Sequence, residues 1–557
     1  LVGLAIILAV ISFYSYVRAV SHVPVGDRWY AVLSNRWSRV GQLFFCAGMV
    51  LTSGSLLERG LWGLLCLAVM WTWWRIRHQE ESPLVRLGSL SEEVSEEVSD
   101  ASTARSRIKV VAEWLVKTEL LWLVLLSPFF LFPSPERAWS LAALPILWIA
   151  RRIARGRFVS RTPLDWAIAL LMLMVLVSLF ATFDLSFSLG KIAGVLLGIG
   201  LYYALVEWAS TPERLRWAVA CYAAAGVALA VVGLLGADWI SKFSGLSQIT
   251  SRLPALVRGL PGAEGGIHPN EVGGALTWVV PLQLSLVAWS WLTRPAASRG
   301  RGLFRVGLLL GALLSAGTLL LTQSRSALTG TALALAMLLW LAIPKVRLVL
   351  AALLVIGIAA AIYVGPQSLT DSLADQYGPG FNTAKNLRTA EGRAELWGRA
   401  LHGIEDFPFT GMGMNTFRRV MPVLYPLPAV PPTMDVAHAH NHLLQAALDL
   451  GLPGLVAYLA IWMLAGAMVV AVWRVAPRGW SRFVAAGVGA GLLAHFVYGM
   501  TDTVALGAKP GIFFWGLLAI LAALARQHRS TAPIRIDSQR IELSASEEMT
   551  AKEALPA

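Results

Sequence analysis

The sequence is poor in charge. Only 14% of its 557 residues are Asp, Glu, Lys or Arg, where a soluble chain carries about a quarter. That shortfall excludes an ordinary soluble enzyme. Cysteine is scarcer still. Cys46, Cys66 and Cys221 all lie in apolar segments, which argues against a disulfide framework and against a cysteine-based metal site. The chain begins with Leu1, so its true start is left open, and no signal peptide with a small-residue cleavage site is expected. What is abundant is apolar: 56% of residues are hydrophobic, and runs of transmembrane length recur along most of the chain. The 23 Trp residues suit interfacial belts. The net charge of +13 is no nucleic-acid footprint, because Lys and Arg gather in short loops, where they set topology.

These features predict an all-α polytopic membrane protein, with about 12 core transmembrane helices, about 2–3 extra N-terminal ones and a large helical periplasmic loop. The core spans are expected near 119–133, 138–151, 164–182, 187–207, 215–236, 271–292, 304–322, 325–342, 346–364, 452–474, 482–501 and 511–526. Basic residues fill alternate loops: Arg151, Arg152, Arg155, Arg157 and Arg161; Arg294 to Arg305; Lys345 and Arg347; Arg474, Arg478 and Arg482. By the positive-inside rule that side is the cytoplasm. Four segments follow: an extra transmembrane region at 1–77, a charged Ser-rich linker at 78–107, a main body at 108–526 and a disordered tail at 527–557. The two longest connections, about 237–270 and 365–451, fall on the outer side, and long ordered loops tend to carry function.

Few residues on that side offer chemistry. "LTQSRSALTG" (321–330) sets Arg325 in a hairpin with almost no loop. It is read either as an interfacial anchor or as an anion site, since guanidinium binds phosphate bidentately. In the long loop, Leu396, Trp397, Ala400, Leu401 and Ile404 recur at helical spacing, predicting an amphipathic helix over about 391–405 on the membrane face. Arg393 in its first turn opposes the helix dipole, and a nearby anion would justify it. "PFTGMGMNTF" (408–417) is a Gly-rich turn. In "IHPNEV" (267–272), Asn270 is expected to cap the following helix, with His268 and Asn270 as alternative substrate contacts.

"AHAHNHLLQ" (437–445) then carries His438, His440 and His442. His-x-His is a metal-ligand pattern, and His402 would add a ligand. On a helix, however, only positions 438 and 442 share a face, so no metal site is expected. Interface decoration is the bland alternative. A general base fits better, with Asn441 orienting it or holding the acceptor.

The order of these motifs is similar to that of a known family. His440-Asn441, nine residues, then Gly451-x-x-Gly454, behind a large outer loop, resembles the O-antigen ligase superfamily of lipid A-core:O-antigen ligases, O-antigen polymerases and related oligosaccharyltransferases. Ser324–Arg325, Gly392–Trp397 and the turn at 408–417 match in the same order, and the likeness spans roughly 119–526. The resemblance implies a metal-independent, inverting glycosyltransferase without cofactor. His440 would be its base, and Arg325 and Arg393 would hold the diphosphate of an undecaprenyl-diphosphate-linked glycan. The acceptor would be lipid A-core for a ligase and a second lipid-linked glycan for a polymerase. The roles of His438 and His442 stay open. A lipid-linked glycan transporter is the non-enzyme rival, but it predicts internal repeats and a central polar cavity, and neither is legible.

Overall fold

A computed structural model describes residues 107–529 apart from 240–243, 255, 260–262, 264, 294–298, 354, 357–358, 360–389 and 428–435. All described residues belong to one compact unit, Ala104–Ala557. The expected region 1–77, nearly all of the linker 78–107, the tail beyond Arg529 and two stretches of the long outer loop lie outside the described residues.

The regular structure among the described residues is helical, apart from one isolated β-bridge between Ala237 and Ile267. In chain order they are α1 (Arg107–Lys117), α2 (Glu119–Leu131), α3 (Ala143–Arg155), α4 (Asp165–Ala181), α5 (Leu185–Trp208), α6 (Pro212–Gly236), α7 (Ser244–Thr250), α8 (Pro269–Leu292), α9 (Arg299–Leu321), α10 (Arg325–Ala342), α11 (Ala390–Asp406), α12 (Phe417–Leu424), α13 (His442–Val475), α14 (Trp480–Gly499) and α15 (Gly511–Arg529). Eight are long and apolar enough to cross a membrane: α5, α6, α8, α9, α10, α13, α14 and α15. The span expected at 119–133 is instead the second arm of a pair, α1 and α2, bent by 67°. The one expected at 138–151 divides into a 3-10 stretch, Pro135–Ala142, and the 13-residue α3. α4, at 17 residues, is short, and the segment expected at 346–364 is described only in part.

α8 is the central stave. It packs against α14, α9, α6, α10 and α15, and α5 packs against α15 and α2. Small buried residues on α14, among them Ala485, Ala486, Ala490 and Ala494, let backbones approach closely. One basic-loop expectation changes. Arg151 is a buried side chain, its Nε 2.7 Å from Glu119 Oε2 on α2. Arg155 and Arg157 both pair with Glu207 on α5. Their charges are matched internally, because a buried guanidinium without a carboxylate would be costly.

α13 is two helices joined at a break. Gly451 has φ +70 and ψ 179 inside it, with Pro453 two residues on. The Gly-rich turn docks into this break through the main chain: Met412 N donates to Leu448 O at 2.6 Å, and Leu452 N to Pro408 O at 2.7 Å. A Cβ on Gly451 would stand 2.3 Å from Phe409 O, and one on Gly411 2.6 Å from Gly451 N. Only glycine tolerates both the left-handed backbone and that approach. Gly451→Ala should therefore cost about 2–4 kcal/mol, from backbone strain of roughly 1–3 kcal/mol plus the clash. The readout is a lower unfolding temperature in detergent; an unchanged one would show that the break relaxes freely.

The helix expected at 391–405 is α11, and part of its apolar stripe turns inward while Leu401 stays exposed. Leu396 and Ala400 are fully buried against Met412, Phe417, Met421, Val436, Ala439 and Leu448. The outer loop has a small core of its own, seated on the break in α13.

Candidate active site

The ends of α8, α9, α10, α13 and α14 opposite the basic loops converge on one spot. The segment reaching it from the outer loop is not helical. His440 has φ +49, a left-handed backbone that is strained for a side chain of this size. Asn441 follows in an extended conformation and caps α13, its Oδ1 accepting from Leu443 N at 2.9 Å and Leu444 N at 3.1 Å. Its Nδ2 donates to Met500 O at 3.1 Å. Trp397 Nε1 on α11 donates to Ala439 O at 3.0 Å, fixing the carbonyl just before His440.

The partner of His440 is Asp502, in the turn after α14. His440 Nδ1 lies 3.2 Å from Asp502 Oδ1. Thr503 N donates to the same oxygen at 2.9 Å, and Asn270 Nδ2 donates to Oδ2 at 2.7 Å. Burial alone would raise the pKa of Asp502. The hydrogen bond from His440 and the fields of His440, His438 and Arg393 outweigh it and hold the carboxyl well below the usual carboxylate range. An ionised carboxylate only accepts, so Nδ1 of His440 carries a proton, and in the neutral ring Nε2 is then the atom with the lone pair. That is the tautomer a general base requires.

Arg325 and Arg393 stand by this pair. The hairpin carrying Arg325 turns at Gln323, with φ +52, and Thr501 Oγ1 donates to Ser326 Oγ at 2.9 Å, tying the first turn of α10 to the loop of Asp502. Burial lowers the pKa of Arg393; Asp502 opposes that shift and Arg325 adds to it, so the three share one electrostatic neighbourhood. The guanidinium remains a cation. Its Nε is buried with no hydrogen-bond partner among the described residues. A buried donor left open beside two positive charges suits an oxyanion.

His438, His440 and Asp502 also offer ligand atoms within 4.8 Å of one another, a geometry compatible with a cation. The expectation that 438 and 440 point apart assumed a helix. The segment is not one, and their rings meet edge-on at 4.3 Å. The tautomers resist a metal all the same. His438 Nδ1 accepts from His440 N at 3.2 Å, so its Nε2, 4.0 Å from Asp502 Oδ1, bears a proton instead of a lone pair. Burial and the adjacent His440 ring push the pKa of His438 well below the ordinary imidazole value.

One expectation is corrected, and two readings left open by the sequence narrow. The cap of α8 is His268, whose Nδ1 accepts from Asn270 N at 3.2 Å, and the Asn270 side chain serves Asp502 instead. His442 does not face the site. It is buried in the bundle, its Nδ1 3.1 Å from Tyr458 Oη, amid Trp462 and Phe496. The amide of Asn441 is spent on the cap and on Met500, so it orients the loop. His402 lies apart beside Glu405. Asp502 escaped sequence reading. Its one signal was a lone carboxylate in a short apolar turn, "GMTDTVALG", at the outer mouth of a span.

With this geometry in view, the likeness to known proteins is specific. No curated protein matches the chain. Residues 310–459 match the Wzy_C family, described as O-antigen ligase. The matched stretch holds Arg325, Arg393, His440, Asn441, Gly451 and Gly454, and ends before Asp502. Over this stretch, about a quarter of the chain, the protein is similar to the O-antigen ligase family.

Proposed function

We propose that this protein is a membrane glycosyltransferase. It moves a glycan from undecaprenyl diphosphate to an acceptor hydroxyl at the outer face of a bacterial inner membrane, with lipid A-core as the acceptor. Residues 108–526, with about twelve spans once the bent α1–α2 pair, α3, α4 and the stretch after Arg347 are counted, form the catalytic body. The observation that carries the reading is the His440–Asp502 pair set beside Arg393, whose buried Nε has no partner among the described residues.

The acceptor proton passes to His440 Nε2. The acceptor oxygen bonds to the anomeric carbon as the bond from that carbon to the diphosphate oxygen breaks. The displacement inverts the anomeric centre. The diphosphate leaves as an anion, and Arg325 and Arg393 stabilise the charge it gains, the kind of term that dominates many enzymes. The guanidinium groups do the neutralising, so the step requires no metal.

The test uses purified, reconstituted protein with an undecaprenyl-diphosphate oligosaccharide, with and without lipid A-core. A single adduct that needs the acceptor supports a ligase. A ladder that grows without it replaces lipid A-core by a second lipid-linked glycan. Arg393→Gln should lower the rate by roughly 10²-fold. Wild-type rates from that variant would overturn the diphosphate assignment, and absence of product from every form would return the transporter reading.

A further inference from the structure

At the opposite end of the bundle from His440, α6, α8 and α9 part to leave a groove of about 940 Å³. All three helices are of membrane-crossing length, so the groove opens toward lipid. Its walls are apolar, with small residues, Ala220 and Ala224 on α6 and Gly307 on α9, set among larger ones such as Val227, Phe304 and Leu310. No described residue stands within 4 Å of a Cβ built on Gly307. The floor is closed by Gln283 on α8, whose Nε2 donates to Ala223 O at 2.9 Å and ties α8 to α6. Trp217, Trp289 and Trp480 line it as well, a residue type that marks the headgroup level of a bilayer.

The mouth carries one charge of each sign, Glu213 and Arg216. They are three apart on α6, a spacing at which opposite charges meet on a helix. Neither forms an ion pair with the other or with any described residue. The groove therefore offers an acid and a base at headgroup depth above a long apolar cleft.

We propose that this groove binds a zwitterionic aminophospholipid, with its ammonium on Glu213, its phosphate on Arg216 and its acyl chains along α6 and α9. Charge selects the occupant. An anionic phospholipid or a polyprenyl phosphate brings only negative charge and is repelled by Glu213. The aminophospholipid answers both residues with one headgroup. The site is separate from the proposed transfer reaction.

The test places the full chain in nanodiscs of equal phosphatidylethanolamine and phosphatidylglycerol with a trace of undecaprenyl phosphate, then reads the retained lipid by native mass spectrometry. Wild type and Gly307→Ala should keep one phosphatidylethanolamine in preference to the other lipids. Gly307→Phe, which fills the open space, should reduce retention at least about tenfold. Glu213→Gln should shift preference several-fold toward phosphatidylglycerol, and it carries the test if Gly307→Phe does not assemble. Retention that merely follows the supply in wild type, or preferential retention of undecaprenyl phosphate, would overturn the proposal.

Discussion

His440→Ala should lower glycan transfer by roughly 10²–10⁴-fold, the usual contribution of a positioned general base. That is about 3–5.5 kcal/mol of barrier. The loss belongs in kcat. The diphosphate is assigned to Arg325 and Arg393, on other helices, so the KM for donor should change little. Steady-state rates with reconstituted protein at saturating donor separate the two. A variant that keeps a third of wild-type kcat would move the base elsewhere. A variant that loses only donor affinity would make His440 a binding residue. The left-handed backbone at His440 makes a second variant useful, because alanine keeps the Cβ that strains this conformation and so adds a local structural cost. His440→Asn keeps a polar side chain with some tolerance for that conformation, and should be as inactive.

Asp502→Asn should cost a comparable factor, roughly 10²–10⁴-fold, although it removes only a charge. Each carboxylate oxygen already faces a donor: His440 Nδ1 and Thr503 N on one, Asn270 Nδ2 on the other. An amide turned either way sets its NH₂ against one of them. Where it donates to His440 Nδ1, the ring takes the other tautomer and Nε2 loses its lone pair. The same carboxylate links stability to pH. Its pKa is depressed in the folded protein, so its contribution is fully present above the unfolded value, about 3.9, and is lost as pH falls toward the folded value. The gap in unfolding temperature between wild type and Asp502→Asn should hold steady from pH 8 to 5 and narrow only below about 4. A gap that closes between pH 7 and 5 would mean that Asp502 is not held ionised by its neighbours.

Much of this architecture is readable from local pattern. Apolar runs announce the spans, and helical spacing over 391–405 announces α11 nearly residue for residue. Arg325, Arg393 and His440 stand out because charge is dear at a membrane boundary. The rest depends on contacts that no local window contains. Asp502 lies 62 residues from His440, beyond two spans, and nothing near it in sequence needs a carboxylate. His268 and Asn270 exchange their expected roles for the same reason. The cap is a local choice between two polar residues, and it is decided by Asp502 reaching Asn270 from the turn after α14. His442 looks equivalent to His438 and His440 as a string. The helix begins at position 442, and that start turns its ring into the core, while the non-helical residues before it bring the other two rings to Asp502.

The splice between the Gly-rich turn and the break at Gly451 is made of amides, carbonyls and two missing side chains. Such a joint is indifferent to vocabulary. It asks for glycine at two places and for nothing from the outward residues of the loop. The loop is thus free to drift in sequence, and with it the surface that greets an acceptor, while the base stays registered to the membrane helices beneath. A chain built this way can change its customers without rebuilding its workshop.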